Sequence, residues 1–79
     1  MGMNRLSEKN KQRCANALNK PVFRASTWRG PIAVCWTERD EKFDVNYKTG
    51  EILRGPYKEE NGVGWLDESE RPAPVMPTQ

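Results

Sequence analysis

Ile32-Ala33-Val34-Cys35-Trp36-Thr37-Glu38-Arg39-Asp40-Glu41-Lys42-Phe43-Asp44-Val45-Asn46-Tyr47 is the stretch on which the fold turns. Phe43, Val45 and Tyr47 alternate with Asp44 and Asn46, the period of two expected of a half-buried strand. Ile32, Val34 and Trp36 alternate in the same way with Ala33, Cys35 and Thr37. Between the two runs, Glu38-Arg39-Asp40-Glu41 is too charged to bury and reads as a turn. After Tyr47, the segment Lys48-Thr49-Gly50-Glu51 puts glycine where a tight hairpin needs positive φ, and Ile52 and Leu53 open a third strand. These signals predict an antiparallel meander at 31–38, 42–48 and 51–55, with a further short strand near 22–28. The expected buried face carries Ile32, Val34, Trp36, Phe43, Val45 and Tyr47, and Val63, Trp65 and Leu66 are expected to close it.

Upstream, 7–19 reads as a helix. It has no Gly or Pro, Ser7 is a suitable N-cap, and Pro21 follows just beyond its end. Met3, Leu6, Cys14, Ala17 and Leu18 project to one side, a weakly apolar face that can cover a sheet but not nucleate a core alone. The fold class expected is therefore α+β, an N-terminal helix packed on a three- to four-stranded antiparallel β-meander. Residues 1–66 form the domain, and 67–79 form an acidic, then proline-rich, flexible tail of disordered or polyproline character. Pro74-Val75-Met76-Pro77 within it fits the minimal PxxP docking pattern.

At 79 residues the chain buries only about 60 % of its unfolded surface, too little for a deep cavity. The charge is uneven. Residues 1–24 hold six basic groups against one acidic, 25–58 are nearly balanced, and 59–79 hold five acidic against one basic. No apolar run reaches the roughly 18 residues of a membrane span and no hydrophobic leader is visible, which gives the expectation of a cytoplasmic protein without membrane contact.

The chain has no histidine, which removes Ser-His-Asp and Cys-His catalysis. Cys14 and Cys35 lack paired-ligand spacing, so neither a metal nor another cofactor is expected, and both are expected to be free and buried. Glu38, Asp40, Glu41, Glu59 and Glu60 fall in segments expected to be exposed, where nothing tunes a carboxylate for acid-base work. No enzymatic activity is expected.

Two features point to binding. Arg5, Lys9, Gln12, Arg13, Asn16 and Lys20 fall within roughly 100° of a helical projection and make a cationic, donor-rich stripe suited to phosphates and base edges. Trp28-Arg29-Gly30-Pro31 and Leu53-Arg54-Gly55-Pro56-Tyr57 repeat a hydrophobic-Arg-Gly-Pro pattern, so Trp28, Arg29, Arg54 and Tyr57 supply residue types enriched in protein hot spots. The first expectation is a small accessory protein that binds and modulates another protein or complex, of a size that fits a phage or mobile-element factor. A nucleic-acid binder using the basic helix is the alternative, and an exposed edge strand is compatible with a homodimer.

Overall fold

In the computed structural model, residues 4–38, 40–58 and 72–78 are described, with the side chains of Asn4, Arg5 and Trp28 left outside the description. The elements run β1 (Asn4–Arg5), α1 (Glu8–Leu18), β2 (Arg24–Arg29), β3 (Ile32–Trp36), β4 (Glu41–Asn46) and β5 (Glu51–Lys58). All strand pairs are antiparallel and the spatial order is β1-β2-β3-β4-β5. The architecture is thus the expected helix on an open antiparallel meander, with four main strands and a two-residue β1 beside β2 that the sequence did not announce. Val63, Trp65 and Leu66 lie outside the described residues.

Both helix ends are set by local chemistry. The Ser7 hydroxyl accepts from the Asn10 N–H at 3.3 Å, and Asn19 closes the helix in the left-handed region at φ 55°. Gly50 supplies the φ of 84° that the β4–β5 turn requires.

The register corrects one expectation. Cys35 sits opposite Phe43 and Ala33 opposite Val45, so residues of like parity share a face. Beneath α1 lie Ala33, Cys35, Phe43 and Val45 with Ala25, packed against Leu6, Cys14, Ala15 and Leu18. Ile32, Val34 and Trp36 lie on the opposite face with Lys42, Asp44 and Asn46, rather than under the helix with Phe43 and Val45. The physical reason is fit: α1 presents Cys14 and Ala15, both fully buried, and small residues on β3 let its backbone approach the sheet closely. Trp36 is buried nonetheless, at 4 % exposure on the far face.

β5 is the outer strand on the other side. Asp44 and Val45 are consecutive on β4 but pair with Arg54 and Ile52, so Leu53 is the extra residue of a bulge. A second irregularity follows between Arg54 and Tyr57, where Gly55 and Pro56 stand.

The chain returns to the domain at 72–78. Val75 forms an antiparallel bridge with Val22, N–H to carbonyl in both directions at 2.9 and 2.8 Å, and packs against the core. Residues 72–74 and 76–78 carry no regular structure, and the attachment of Val75 to Val22 has no local signal in the sequence.

Candidate functional site

The far face of the sheet carries an alternating run of cations and rings across four strands. Arg24 on β2 and Lys42 on β4 are direct neighbours of Trp36, with their charges 4.9 and 5.6 Å from its ring centroid. Lys42 is also 4.8 Å from the Tyr57 ring, and the Arg54 guanidinium stacks on that ring at 4.0 Å. Contacts of this kind contribute about 0.5–1 kcal/mol each where solvent reaches them. The Tyr57 hydroxyl donates to Asp44 at 2.7 Å, which fixes the ring between Lys42 and Arg54. Trp36 Nε1 is buried and meets no acceptor among the described residues.

Of the residues expected to form one protein-binding patch, Arg54 and Tyr57 meet as anticipated. Arg29 is exposed at the end of β2 next to the Gly30-Pro31 turn, and the Trp28 side chain lies outside the description. Strands β3 and β4 separate β2 from β5, so Arg29 and Arg54 are about 14 Å apart across the sheet at strand spacing alone. The two bends also sit toward opposite ends of the meander: Pro31 O accepts from Tyr47, whereas Gly55 lies against Lys42 and Phe43. They do not make a single edge. Lys42 as a partner of Tyr57, and Trp36 and Arg24 beyond it in the same run, were missed because their adjacency depends on the cross-strand register.

The cationic stripe is partly dispersed. Arg5 belongs to β1 rather than to α1, its backbone paired with Ser26. Lys9 and Arg13 are exposed. Gln12 and Asn16 are half-buried and engage the returning chain: Gln12 Nε2 donates to Met76 O at 2.7 Å, and the Thr78 N–H donates to Asn16 Oδ1 at 2.9 Å. Lys20, past the cap, turns to the sheet, 3.8 Å from Glu41 and 5.2 Å from the Phe43 ring centroid. Arg13 and Asn16 also border an open groove of about 400 Å³ shared with Tyr47, Lys48 and Thr49 of the β4–β5 turn.

Three acidic groups have local partners. Glu41 accepts from the Thr37 hydroxyl and faces Lys20, Asp40 lies 3.7 Å from Lys58, and Asp44 holds Tyr57. Cys14 and Cys35 are free thiols with no exposed surface. The hydrogen bond with Cys14, and burial after it, push the Cys35 thiol far up, which keeps it protonated. Native protein is therefore expected to show no reaction with a disulfide reagent such as Ellman's at pH 8, and both thiols are expected to react once it is unfolded in guanidinium. Native labelling at the rate of a free cysteine would show that this part of the core opens readily.

Among the described residues, no three His, Cys, Asp or Glu groups converge as metal ligands, and no helix is long and apolar enough to cross a membrane. Comparison with protein-family models, curated proteins and solved structures finds no match to this chain, so function is argued from its own side chains.

Proposed function

We propose that this chain is a small, non-catalytic accessory protein that binds another protein, and that β5 is its docking edge. The observation behind the reading is that every residue from Glu51 to Pro56 is exposed, with Ile52 and Leu53 each at 46 %. Two adjacent large aliphatics flanked by an arginine stacked on tyrosine have the composition of a binding hot spot, and single scattered apolar residues do not. The edge is also guarded. The Leu53 bulge and Pro56, which has no N–H to donate, limit strand addition to the first half of β5, which favours recognition by side chains over open-ended pairing of copies. The engagement of Gln12 and Asn16 by the chain's own C-terminal segment, and of Lys20 by Glu41, leaves Lys9 and Arg13 as the exposed part of the stripe on α1 without a described side-chain partner, which weakens the nucleic-acid alternative.

A photo-crosslinking residue at position 52, introduced into the protein in its native host, tests the reading. A discrete crosslinked protein partner is expected, and it should disappear with Leu53→Asp. Because Leu53 is exposed, that substitution is expected to change stability by less than about 0.5 kcal/mol in urea titration. Crosslinks only to a second copy would replace the accessory reading with a homodimer. Micromolar binding of labelled DNA or RNA that falls steeply with salt and is lost in Lys9→Glu/Arg13→Glu would replace it with the nucleic-acid reading.

A further inference from the structure

The segment 72–78 is held in a way that a separate peptide could reproduce. Its docking uses one strand-like exchange of hydrogen bonds between Val75 and Val22, one apolar side chain, and two amide side chains. Gln12 Nε2 reads the Met76 carbonyl, and Asn16 Oδ1 accepts both the Thr78 N–H at 2.9 Å and its hydroxyl at 3.2 Å. Gln12 and Asn16 are one helical turn apart and bonded to each other at 3.1 Å, which presents them together as a single donor–acceptor clamp. On the ligand side, Pro74 and Pro77 bracket Val75-Met76. Proline limits the unbound segment to extended conformations, so little entropy is lost on docking. Val75, bridged to Val22, packs against the core cluster, while Met76 points largely to solvent at 57 % exposure. The recognition elements are therefore the valine, the backbone on either side of it, and the prolines that hold it extended.

We propose that the cleft between α1 and the Val22 strand-entry is a receptor site for an extended, proline-flanked peptide with a β-branched apolar residue at its centre, and that 72–78 is its resident ligand in cis. A partner carrying such a segment binds by displacing 72–78. Displacement hands Gln12 and Asn16 over to the incoming peptide and releases 72–78 from the domain, so the site couples partner binding to freeing of the C-terminal segment. This site is separate from the β5 edge and does not depend on it. A segment on the same chain competes with any free peptide, so the apparent affinity in trans is reduced by the fraction of time the cleft stands open.

The test uses the full chain and a fluorescein-labelled peptide of sequence Pro-Ala-Pro-Val-Met-Pro-Thr, that of residues 72–78. Binding is followed by anisotropy to full-length wild type, to Val75→Asp, and to Val75→Asp carrying Gln12→Ala and Asn16→Ala. Val75→Asp removes the resident side chain and leaves the cleft intact. It is expected to bind the peptide at least about tenfold more tightly than wild type does. The triple variant is expected to lose that gain, and a peptide with aspartate in place of its valine is expected not to bind. Equal binding to wild type and Val75→Asp, or no binding to a folded Val75→Asp, would overturn the proposal. Should Val75→Asp fail to fold, as judged by circular dichroism, the full chain with Gln12→Ala and Asn16→Ala decides. Amide exchange at Val75 is then expected to quicken by about tenfold or more while β3–β4 amides stay unchanged, and unchanged exchange at Val75 would overturn the proposal.

Discussion

Gly55→Ala is expected to lower stability by about 3 kcal/mol, the largest effect of a methyl added at Gly30, Gly50 or Gly55. Two causes act together. Gly55 has φ 127°, a region that L side chains rarely enter. A Cβ there would also stand 2.8 Å from Lys42 O and 2.8 Å from Phe43 Cδ2. The ring could move, but the Lys42 carbonyl belongs to the β4 backbone and cannot move without breaking the ladder. Gly50→Ala is the control: its φ is 84° and nothing lies within 4 Å of the added carbon, so only the conformational part remains, about 1 kcal/mol. With a urea m-value of about 1 kcal/mol/M for so small a domain, the two midpoints should separate by about 2 M. Since stability for such a domain is on the order of 5 kcal/mol, Gly55→Ala should retain only about 2 kcal/mol. Phe43→Leu added to Gly55→Ala should not restore the loss. Equal midpoints for Gly55→Ala and Gly50→Ala would mean that β5 does not approach β4 as closely as described.

The Gly55 contact also shows where sequence reading stops. Ser7 as N-cap, Gly50 as hairpin glycine and the alternation of Phe43, Val45 and Tyr47 are local signals, and each was legible because the chemistry sits within a few residues. Gly55 was legible as a bend, yet the reason only glycine fits there lies on another strand. The same distinction governs the candidate site. Arg54 and Tyr57 could be paired from their spacing, whereas Lys42, Trp36 and Arg24 join them only through the cross-strand register. Only part of the helix stripe sits on α1, because the backbone of Arg5 is paired in β1 and Lys20 lies past the cap. Gln12 and Asn16 are claimed by residues more than sixty positions away. No local pattern carries such a pairing.

The choice of buried face is the sharpest of these limits, and Ala33→Leu against Ile32→Ala tests it directly. Two alternating sets on β3 compete for the helix. Size and hydrophobicity favour Ile32, Val34 and Trp36, and summed apolar area alone would choose them. The observed choice is Ala33 and Cys35, because Cys35 opposite Phe43 brings them to the face that β4 presents with Phe43 and Val45. With Ala33 at 0 % exposure in the cluster that also holds Cys14 and Ala15, a leucine there has no free volume to enter. It must lift α1 or take a strained rotamer, at a cost of about 2–3 kcal/mol. Ile32 is only half-buried on the far face, so truncation to alanine should cost about 1 kcal/mol, well below the 2–5 kcal/mol of a core isoleucine. The opposite register would reverse the order, with Ile32→Ala severe and Ala33→Leu mild. Urea midpoints of the two variants therefore report which face of β3 meets the helix, whatever the absolute stability of the chain. A larger loss in Ile32→Ala than in Ala33→Leu would show that the sheet presents its other side.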